Sequence, residues 1–339
     1  MLTVTIDKEM ISIGERFAVT FQRTLRIPDD GRAYPLPPGL GRFPVLKVED
    51  YLDLVPPLWR ERGGAFIPMY QREALWLGFH AAPWKPNAVK IAVGGVNAIS
   101  GEPDDKALHA DRQDYVVCPE QPWLDGVHMG HGLVRQFVAM PLGLGYTVEA
   151  SMTGEETFGG IQITVYEPKP GRFPEKPPIK PDTGPIRTAM RKPDGIASMG
   201  LGAGGSMKQK IYPDPYGIET WDQDNYGRIF IHIINSSEFF AITGFDPPPT
   251  PIDAKTYTEY GLPWFDLYDE TKGDVPPSER LARAKTISAR DAERGEAVQA
   301  DVSFEVSESQ IKKLRSDDPQ APDDQPSKPN PAAYSPKRE

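Results

Sequence analysis

Two histidines and a nearby aspartate are the side chains of this sequence that most resemble a zinc site. His128 and His131 lie three residues apart, shortly after Asp125. Imidazole nitrogens and carboxylate oxygens are ordinary zinc ligands. The neighbouring glycines favour a loop, and no cysteine or further histidine stands at a suitable spacing. We interpret both histidines as loop residues in solvent.

A second metal candidate begins like a calcium-binding loop. Asp222, Asp224 and Gly227 stand where such a loop has its first two carboxylates and its glycine. Tyr226 offers no carboxylate at the next ligand position, and Ile233 occupies the place of the bidentate glutamate. The sequence therefore predicts a polar turn that enters a strand. No cofactor is expected.

A glycine run, Gly200 to Gly205, has the G-x-G-x-x-G spacing of dinucleotide-binding folds. Those folds place the run between a strand and a helix, whereas here Met207 to Tyr212 reads as extended. No Lys-Ser/Thr pair follows the run, which excludes a P-loop. We expect a flexible or tightly turned glycine loop.

The sequence offers no activated nucleophile. Cys118 is followed by proline and has no basic neighbour that would lower its pKa. Ser198 lacks the G-x-S-x-G spacing of a nucleophile elbow. We expect a structural, half-buried cysteine.

A Pro-Trp pair occurs at Trp84, Trp123 and Trp264, and the last two are soon followed by Asp125 and Asp266. Aromatic faces beside carboxylates suit a sugar or a peptide. That hypothesis requires the three indoles to line one open cleft. The alternative, which the sequence favours, is that buried indoles pin ordered loops to the core.

Short strands must position these groups. Ile161, Ile163 and Val165 alternate with polar residues, and Arg228 to Ile234 is apolar on both faces, as at the centre of a sheet. The 37 prolines and 31 glycines disfavour long helices. The sequence predicts an all-β or β-dominated fold of sandwich-like packed sheets, with short peripheral helices and long Pro/Gly loops.

Several segments remain ambiguous. Gln71 to His80 and Leu133 to Met140 fit a strand or a helix, and Ala88 to Ile99 fits two strands or one bulged strand. Ser278 to Arg294 predicts a marginal helix capped by its serine. Val302 to Val306 predicts an edge strand.

The composition divides the chain into three parts. Residues 1–275 form the predicted β-rich globular unit, with an internal division at the Pro-rich segment 168–198 left open. Residues 276–315 predict a marginal helix and an extended segment, and residues 316–339 a disordered tail. Pro174 to Pro181 contains P-x-x-P patterns without a suitably placed basic residue, so we interpret it as a stiff connector.

The net charge of −10 disfavours binding to nucleic acid or to anionic membranes. No apolar run is long enough to cross a bilayer, and the first residues do not form a secretory signal. A single cysteine cannot form an intramolecular disulfide. We expect a cytoplasmic protein.

Three stretches resemble an uncharacterised protein family: APWKPNAVK from Ala82, RQFVAMPLGLGYTVE from Arg135 and MKQKIYPDPYG from Met207. The resemblance covers most of Ile11 to Asp269. It implies no fold, activity, cofactor or functional residue.

Three hypotheses for the function follow in order. The first is a non-catalytic interaction or structural protein of unknown partner, since catalytic motifs are missing and ordered loops are many. The second is a ligand-binding module that holds a small polar ligand through the Trp and Asp loops. The third is a metal-dependent enzyme that uses His128 and His131, or Asp222 and Asp224. The oligomeric state stays open.

Overall fold

A computed structural model describes residues 1–175, 198–267, 272–295 and 303–314. Strands predominate in this part of the chain, as the sequence predicts. The strands are β1 (Val4–Ile6), β2 (Met10–Ile13), β3 (Phe17–Thr24), β4 (Ala33–Tyr34), β5 (Gly39–Arg42), β6 (Leu46–Lys47), β7 (Ala65–Met69), β8 (Ala74–Ala81), β9 (Asn87–Val93), β10 (Val96–Asn97), β11 (Val116–Cys118), β12 (Trp123–Leu124), β13 (Gly126–Gly130), β14 (Leu133–Pro141), β15 (Ile161–Pro168), β16 (Ser198–Lys208), β17 (Trp221–Asn235), β18 (Trp264–Leu267) and β19 (Ile311–Leu314).

The helices of the described residues are short and peripheral. They are α1 (Pro57–Arg62), α2 (Val148–Thr153), α3 (Ser236–Thr243), α4 (Ala254–Glu259), α5 (Glu279–Ala282) and α6 (Ile287–Arg294), with 3-10 turns at Val48–Tyr51, Ile218–Thr220 and Glu308–Gln310. None of these helices is long and apolar enough to span a membrane.

The first seventeen strands form one hydrogen-bonded sheet with two halves. In the first half the neighbours run β1–β2–β3–β8–β14–β16. In the second they run β7–β17–β15–β9, with β10 and β11 beside β9. A short pairing of β16 with β17, at Met199 and Ile233, joins the halves. Most neighbours are antiparallel, which suits hairpins closed by short turns.

One apolar cluster contains buried side chains from both halves, among them Val19 of β3, Ile91 of β9, Ile163 of β15 and Ile231 of β17. Successive side chains of a strand point to opposite faces. The odd-numbered positions of β9, of β15 and of β17 from Ile229 to Ile233 therefore face this core, and the even-numbered positions between them face away from it. Burying such residues stabilises the fold by about 1.5 to 3 kcal/mol each.

The structure resolves most of the ambiguous segments as strands. Gln71 to His80 contributes a hairpin turn and most of β8, and Leu133 to Met140 lies in β14. Ala88 to Ile99 contains two strands joined at Gly94 and Gly95, which have φ angles of 57° and 72°. Positive φ at both central residues is the geometry of a tight two-residue hairpin, and glycine adopts it without strain.

The glycine run is not a loop, contrary to our expectation. Gly200 to Gly205 lies inside β16, which pairs with β14. A Cβ atom on Gly205 would lie 2.1 Å from the carbonyl oxygen of Pro28, and one on Gly204 would lie 2.6 Å from Val138 Cγ2. The glycines therefore allow neighbouring segments to approach the strand closely.

Two expectations for the C-terminal third are wrong. Ser278 caps a helix as predicted, but the segment to Arg294 forms two short helices instead of one, because Thr286 caps a second start and accepts a hydrogen bond from Ala289 N. Of Val302 to Val306, the described residues from 303 onward are not in a strand. The strand lies further on, where β19 pairs with β18 in a separate two-stranded parallel sheet. The tail 316–339 and most of the Pro-rich segment lie outside the described residues.

Candidate functional site: a charged cleft beside the second half of the sheet

His128 and His131 lie in different surroundings. His128 is fully buried in β13, and its Nε2 lies 3.3 Å from Asp274 Oδ1. His131 is exposed in a turn with a φ of 56°. The expectation of two solvent-exposed loop histidines is therefore wrong for His128, because β13 pairs with β14 and carries it into the interior.

Asp274 fixes its own segment to the sheet through His128. Its carboxylate also accepts hydrogen bonds from Gly132 N at 2.7 Å and Ile211 N at 2.8 Å. Burial raises the pKa of Asp274, but these three hydrogen bonds outweigh burial and hold it below its ordinary value. This arrangement is a structural anchor.

The three Pro-Trp loops do not form an open cleft. Trp123 is buried and donates its indole N–H to Asp125 at 2.7 Å, while Trp264 is buried and donates to Thr258 at 3.1 Å. Trp84 is half-buried, and the Arg16 guanidinium lies 5.8 Å from its ring centre. Buried indoles offer no face to a ligand, so the tryptophan-based site is not supported.

The other residues proposed from the sequence also lie apart. Asp266 is paired with Lys208 at 3.5 Å. Asp222 accepts a hydrogen bond from Asp224 N at 3.1 Å, inside an irregular part of β17. Cys118 is fully buried, and burial raises the pKa of its thiol well above the ordinary value.

The structure brings together a different set of charges, on the outer face of the second half of the sheet. Thr164 of β15 pairs with Lys90 of β9 on one side and with Arg228 of β17 on the other. Lys90 is 1% exposed. A lysine and an arginine thus flank a buried threonine on one row of the sheet. Buried charges require partners, because desolvation is costly.

The loop between β10 and β11 supplies those partners. Asp105 Oδ1 lies 2.6 Å and Asp114 Oδ2 lies 2.7 Å from Lys90 Nζ. Asp104 Oδ2 lies 2.5 Å from Arg228 Nη2. Three carboxylates thereby hold the loop against two cations of the sheet.

Asp105, His109 and Asp114 are the group of described residues that comes closest to a metal site, with ligand atoms all within 4.8 Å of one another. The Lys90 ammonium lies within hydrogen-bonding distance of both carboxylates. Burial raises the pKa of Asp105, but the hydrogen bond and charge of Lys90, together with the Ala107 amide and His109, outweigh burial and lower this pKa. This donor set fits an internal ammonium rather than a metal ion, because a metal would have to displace a buried lysine.

A cleft of about 320 Å³ opens next to the Asp104–Arg228 pair. Its walls come from the β9–β10 turn, the loop at Asp104, α2 with the residues that follow it, and two outer-face positions of the sheet. The lining residues are Gly94, Gly95, Pro103, Asp104, Glu149, Thr153, Glu155, Thr157, Phe158, Gln162 and Arg228.

Glu149 fixes one wall of the cleft. Its buried carboxylate accepts hydrogen bonds from the backbone amides of Thr157, Phe158 and Gly159 at 2.7 to 2.8 Å. A Cβ on Gly94 would lie 2.6 Å from Glu149 Cβ, so glycine at this turn permits the approach. The wall is therefore set by hydrogen bonds, and its exposed groups are held in place.

Phe158 forms the aromatic part of the rim. It is 44% exposed, and the Arg62 guanidinium lies 4.3 Å from its ring centre. Arg62 Nη1 also donates to the carbonyl oxygen of Phe158 at 3.2 Å. One apolar ring surrounded by fixed polar groups is a common composition for a recognition site.

Burial raises the pKa of Asp104, and the charges of Arg228 and Lys90 oppose this rise. Sequence reasoning did not find Asp104, Lys90 or Arg228. The available signal was a lysine at the centre of an otherwise apolar strand, since such a residue must be paired if both faces are buried.

Comparison with known proteins adds no functional information. The chain matches no family model, and comparisons with curated proteins and with solved structures also find no match. A functional proposal therefore depends on the chemistry of the cleft itself.

Proposed function

We propose that this chain is a non-catalytic interaction protein that contacts its partner through the charged cleft. The observation that carries the proposal is the state of the buried ionisable groups beside the cleft. Asp104 is bound to Arg228, Glu149 to backbone amides, and Lys90 to two aspartates. A catalytic acid or base must exchange a proton with its substrate, whereas these groups already have fixed partners.

Groups held in this way suit recognition. Binding loses affinity when side chains and loops must first be ordered, and pre-ordered groups avoid that loss. Glu149 and the tight turn at Gly94 order the cleft wall before any partner arrives. The exposed Phe158 and Glu155 then present an apolar ring and a charge at the rim.

The composition of the chain supports the same proposal. Its acidic balance favours a protein or a small polar ligand over nucleic acid. Cys118, buried and unpaired, fits the cytoplasmic location that the sequence predicts. The alternative occupant of this cleft is a small polar ligand, as in the second hypothesis.

Affinity capture with full-length variants tests the proposal. Glu155→Lys reverses an exposed charge at the cleft, and Glu15→Lys reverses an exposed charge in the turn between β2 and β3, where the next residue, Arg16, pairs with Glu167 at the far end of β15 from Gln162. We expect a protein captured by the wild type and by Glu15→Lys to be lost with Glu155→Lys. Equal recovery of the same proteins by all three would refute a cleft-mediated contact.

Catalysis is tested separately on the same site. Asp104→Asn removes the carboxylate that an enzyme of this cleft would use for proton transfer. We expect capture of the partner to persist at reduced affinity. Turnover of a captured small molecule by the wild type, abolished in Asp104→Asn, would contradict the non-catalytic role.

A further inference from the structure

We infer that residues 246–252, between α3 and α4, form a docking segment for a partner protein whose groove is lined by aromatic side chains. The segment has the sequence DPPPTPI and belongs to no helix or strand. None of its residues lines the charged cleft, so this inference goes beyond the proposed function and does not depend on it.

The sequence of the segment imposes an extended backbone. A proline ring fixes its own φ at about −65°, and a residue that precedes proline is kept out of the helical region. Every residue from Asp246 to Pro251 is a proline or precedes one. The conformation that satisfies both constraints is the polyproline II helix, which has about three residues per turn and no internal hydrogen bonds.

The exposure of the side chains has the period of that helix. Asp246, Pro249 and Ile252 lie three residues apart and are exposed, whereas the other prolines of the segment are half-buried. Residues three apart lie along one edge of a polyproline II helix. The segment therefore presents a carboxylate, a proline ring and Ile252, which is 38% exposed, on one outer edge.

The backbone of the segment is held from its inner side. Arg23 Nη2 donates a hydrogen bond to the carbonyl oxygen of Pro249 at 2.6 Å, and Arg23 Nε donates to the buried Glu73 carboxylate at 2.8 Å. Among the described residues, no other group donates to a backbone carbonyl of residues 246–252. The remaining carbonyl oxygens are available to donors of a partner.

Both ends of the segment are fixed by helix caps. α3 ends at Gly244, which has a φ of 74° and donates its N–H to the carbonyl oxygen of Phe240 at 3.0 Å. Before α4, the Asp253 carboxylate accepts a hydrogen bond from Thr256 N at 2.9 Å. A peptide that is extended and tethered before binding loses little conformational freedom when it binds, which favours its recognition.

The chemistry of the outer edge indicates the kind of partner. Proline-rich segments bind to aromatic-lined grooves of SH3, WW and EVH1 domains. Aromatic rings offer flat apolar faces to proline, and the N–H of tryptophan and the hydroxyl of tyrosine donate to backbone carbonyls. SH3 ligands also carry a basic residue, whereas residues 244–254 contain no lysine or arginine. The partner groove is therefore of the WW or EVH1 kind, with a cation opposite Asp246.

An NMR titration of the isotope-labelled full-length protein tests the inference. The probes are a purified WW domain, an EVH1 domain and an SH3 domain, each compared with a variant whose groove aromatic residue is replaced by alanine. We expect the WW or the EVH1 domain to shift the amide signals of Thr250 and Ile252. The matching groove variant should leave both signals unchanged.

Matched variants of the chain locate the interaction. Pro249→Ala and Ile252→Ser remove apolar surface from the outer edge, and each is expected to weaken binding of the domain at least about fivefold. Pro215→Ala, at an exposed proline outside the segment, should not change the affinity. Unaltered amide signals outside residues 244–253 show that each variant keeps the fold.

The possible outcomes are distinct. Absence of shifts with both the WW and the EVH1 domain overturns the inference, as does binding by the SH3 domain alone or equal binding by a groove variant. Binding that is unchanged in Pro249→Ala and Ile252→Ser also overturns it. Glu155→Lys should bind the domain as tightly as the wild type, so failure here and failure of the cleft-mediated contact are separate results.

Discussion

Replacement of Asp125 by asparagine is expected to stabilise the protein at neutral pH. Asp125 is 4% exposed and accepts the indole N–H of Trp123 at 2.7 Å. Burial raises the pKa of this carboxyl to about 7, against an opposing effect of the Trp123 hydrogen bond. Asparagine keeps a carbonyl oxygen for the indole and carries no charge.

The direction in which stability changes with pH follows from the number of protons bound in the folded and unfolded states. Between the unfolded pKa, near 3.8, and the folded pKa, about 7, the folded state holds a proton that the unfolded state has released. Stability therefore falls as the pH rises through this interval. A shift of about three units corresponds to about 4 kcal/mol, of which about 3 kcal/mol is lost between pH 5 and pH 8.

Urea unfolding of the wild type and of Asp125→Asn at pH 5 and pH 8 measures this effect. We expect the advantage of the variant to increase by about 3 kcal/mol between the two pH values. Any destabilisation caused by the amide group itself is the same at both pH values, so it does not affect this difference. Asp111→Asn, at an exposed aspartate, serves as the control. An advantage that does not change with pH would refute the argument.

Three further substitutions test the packing and the buried charges, each by urea unfolding. Gly205→Ala should destabilise the protein by about 1 to 3 kcal/mol, because its Cβ would lie 2.1 Å from a carbonyl oxygen; unchanged stability would contradict the close approach. Asp291→Ala should cost about 3 kcal/mol, because it removes the buried carboxylate that accepts hydrogen bonds from Arg72 at 2.7 and 2.9 Å and from the Tyr146 hydroxyl at 2.7 Å; limited proteolysis should then cleave near α6 first, and wild-type resistance there would contradict this. Lys90→Met should cost about 3 kcal/mol at pH 7 by leaving buried Asp114 without its cation. Lys90 lowers the folded pKa of Asp105, so the wild type loses this stability as the pH falls, and the cost of the variant should shrink at pH 3; a cost independent of pH would count against the pairing.

The sequence predicts the sheet where the alternation of apolar residues is local. Ile161, Ile163 and Val165 lie in one strand and face the core. The strand that contains Ile229, β17, has β15 on one side and β7 on the other, as expected for a strand at the centre of a sheet. Such alternation is decided by the two faces of a single strand, so it needs no knowledge of the partner strand.

The predictions that fail depend on distant contacts. Gly200 to Gly205 has low strand propensity, and β14 and Pro28 impose the extended conformation on it. The glycines around His128 indicate a loop, but two distant contacts bury this residue. One is the pairing of β13 with β14, and the other is the contact with Asp274, which lies 146 residues later in the chain.

The cleft is beyond sequence reasoning for the same reason. Arg228 and Asp104 are 124 residues apart in the chain, and Glu149 acts on the backbone of a loop eight to ten residues away. Charged residues are common in any sequence, and their pairing is a property of the fold. Tryptophan is a rare residue, so the three Pro-Trp pairs suggest a site in the sequence. Trp123 and Trp264 are instead buried in the core, where they stabilise the structure.

Site-specific photo-crosslinking in living cells tests the central claim, that a partner meets the molecule at the charged cleft. A benzophenone amino acid placed at Glu155 lies on the rim, and the same residue placed at Glu15 reports on an equally exposed surface elsewhere. We predict a discrete crosslinked product from position 155 and none from position 15. Identical products from both positions, or a product from position 15 alone, would contradict the assignment of the cleft.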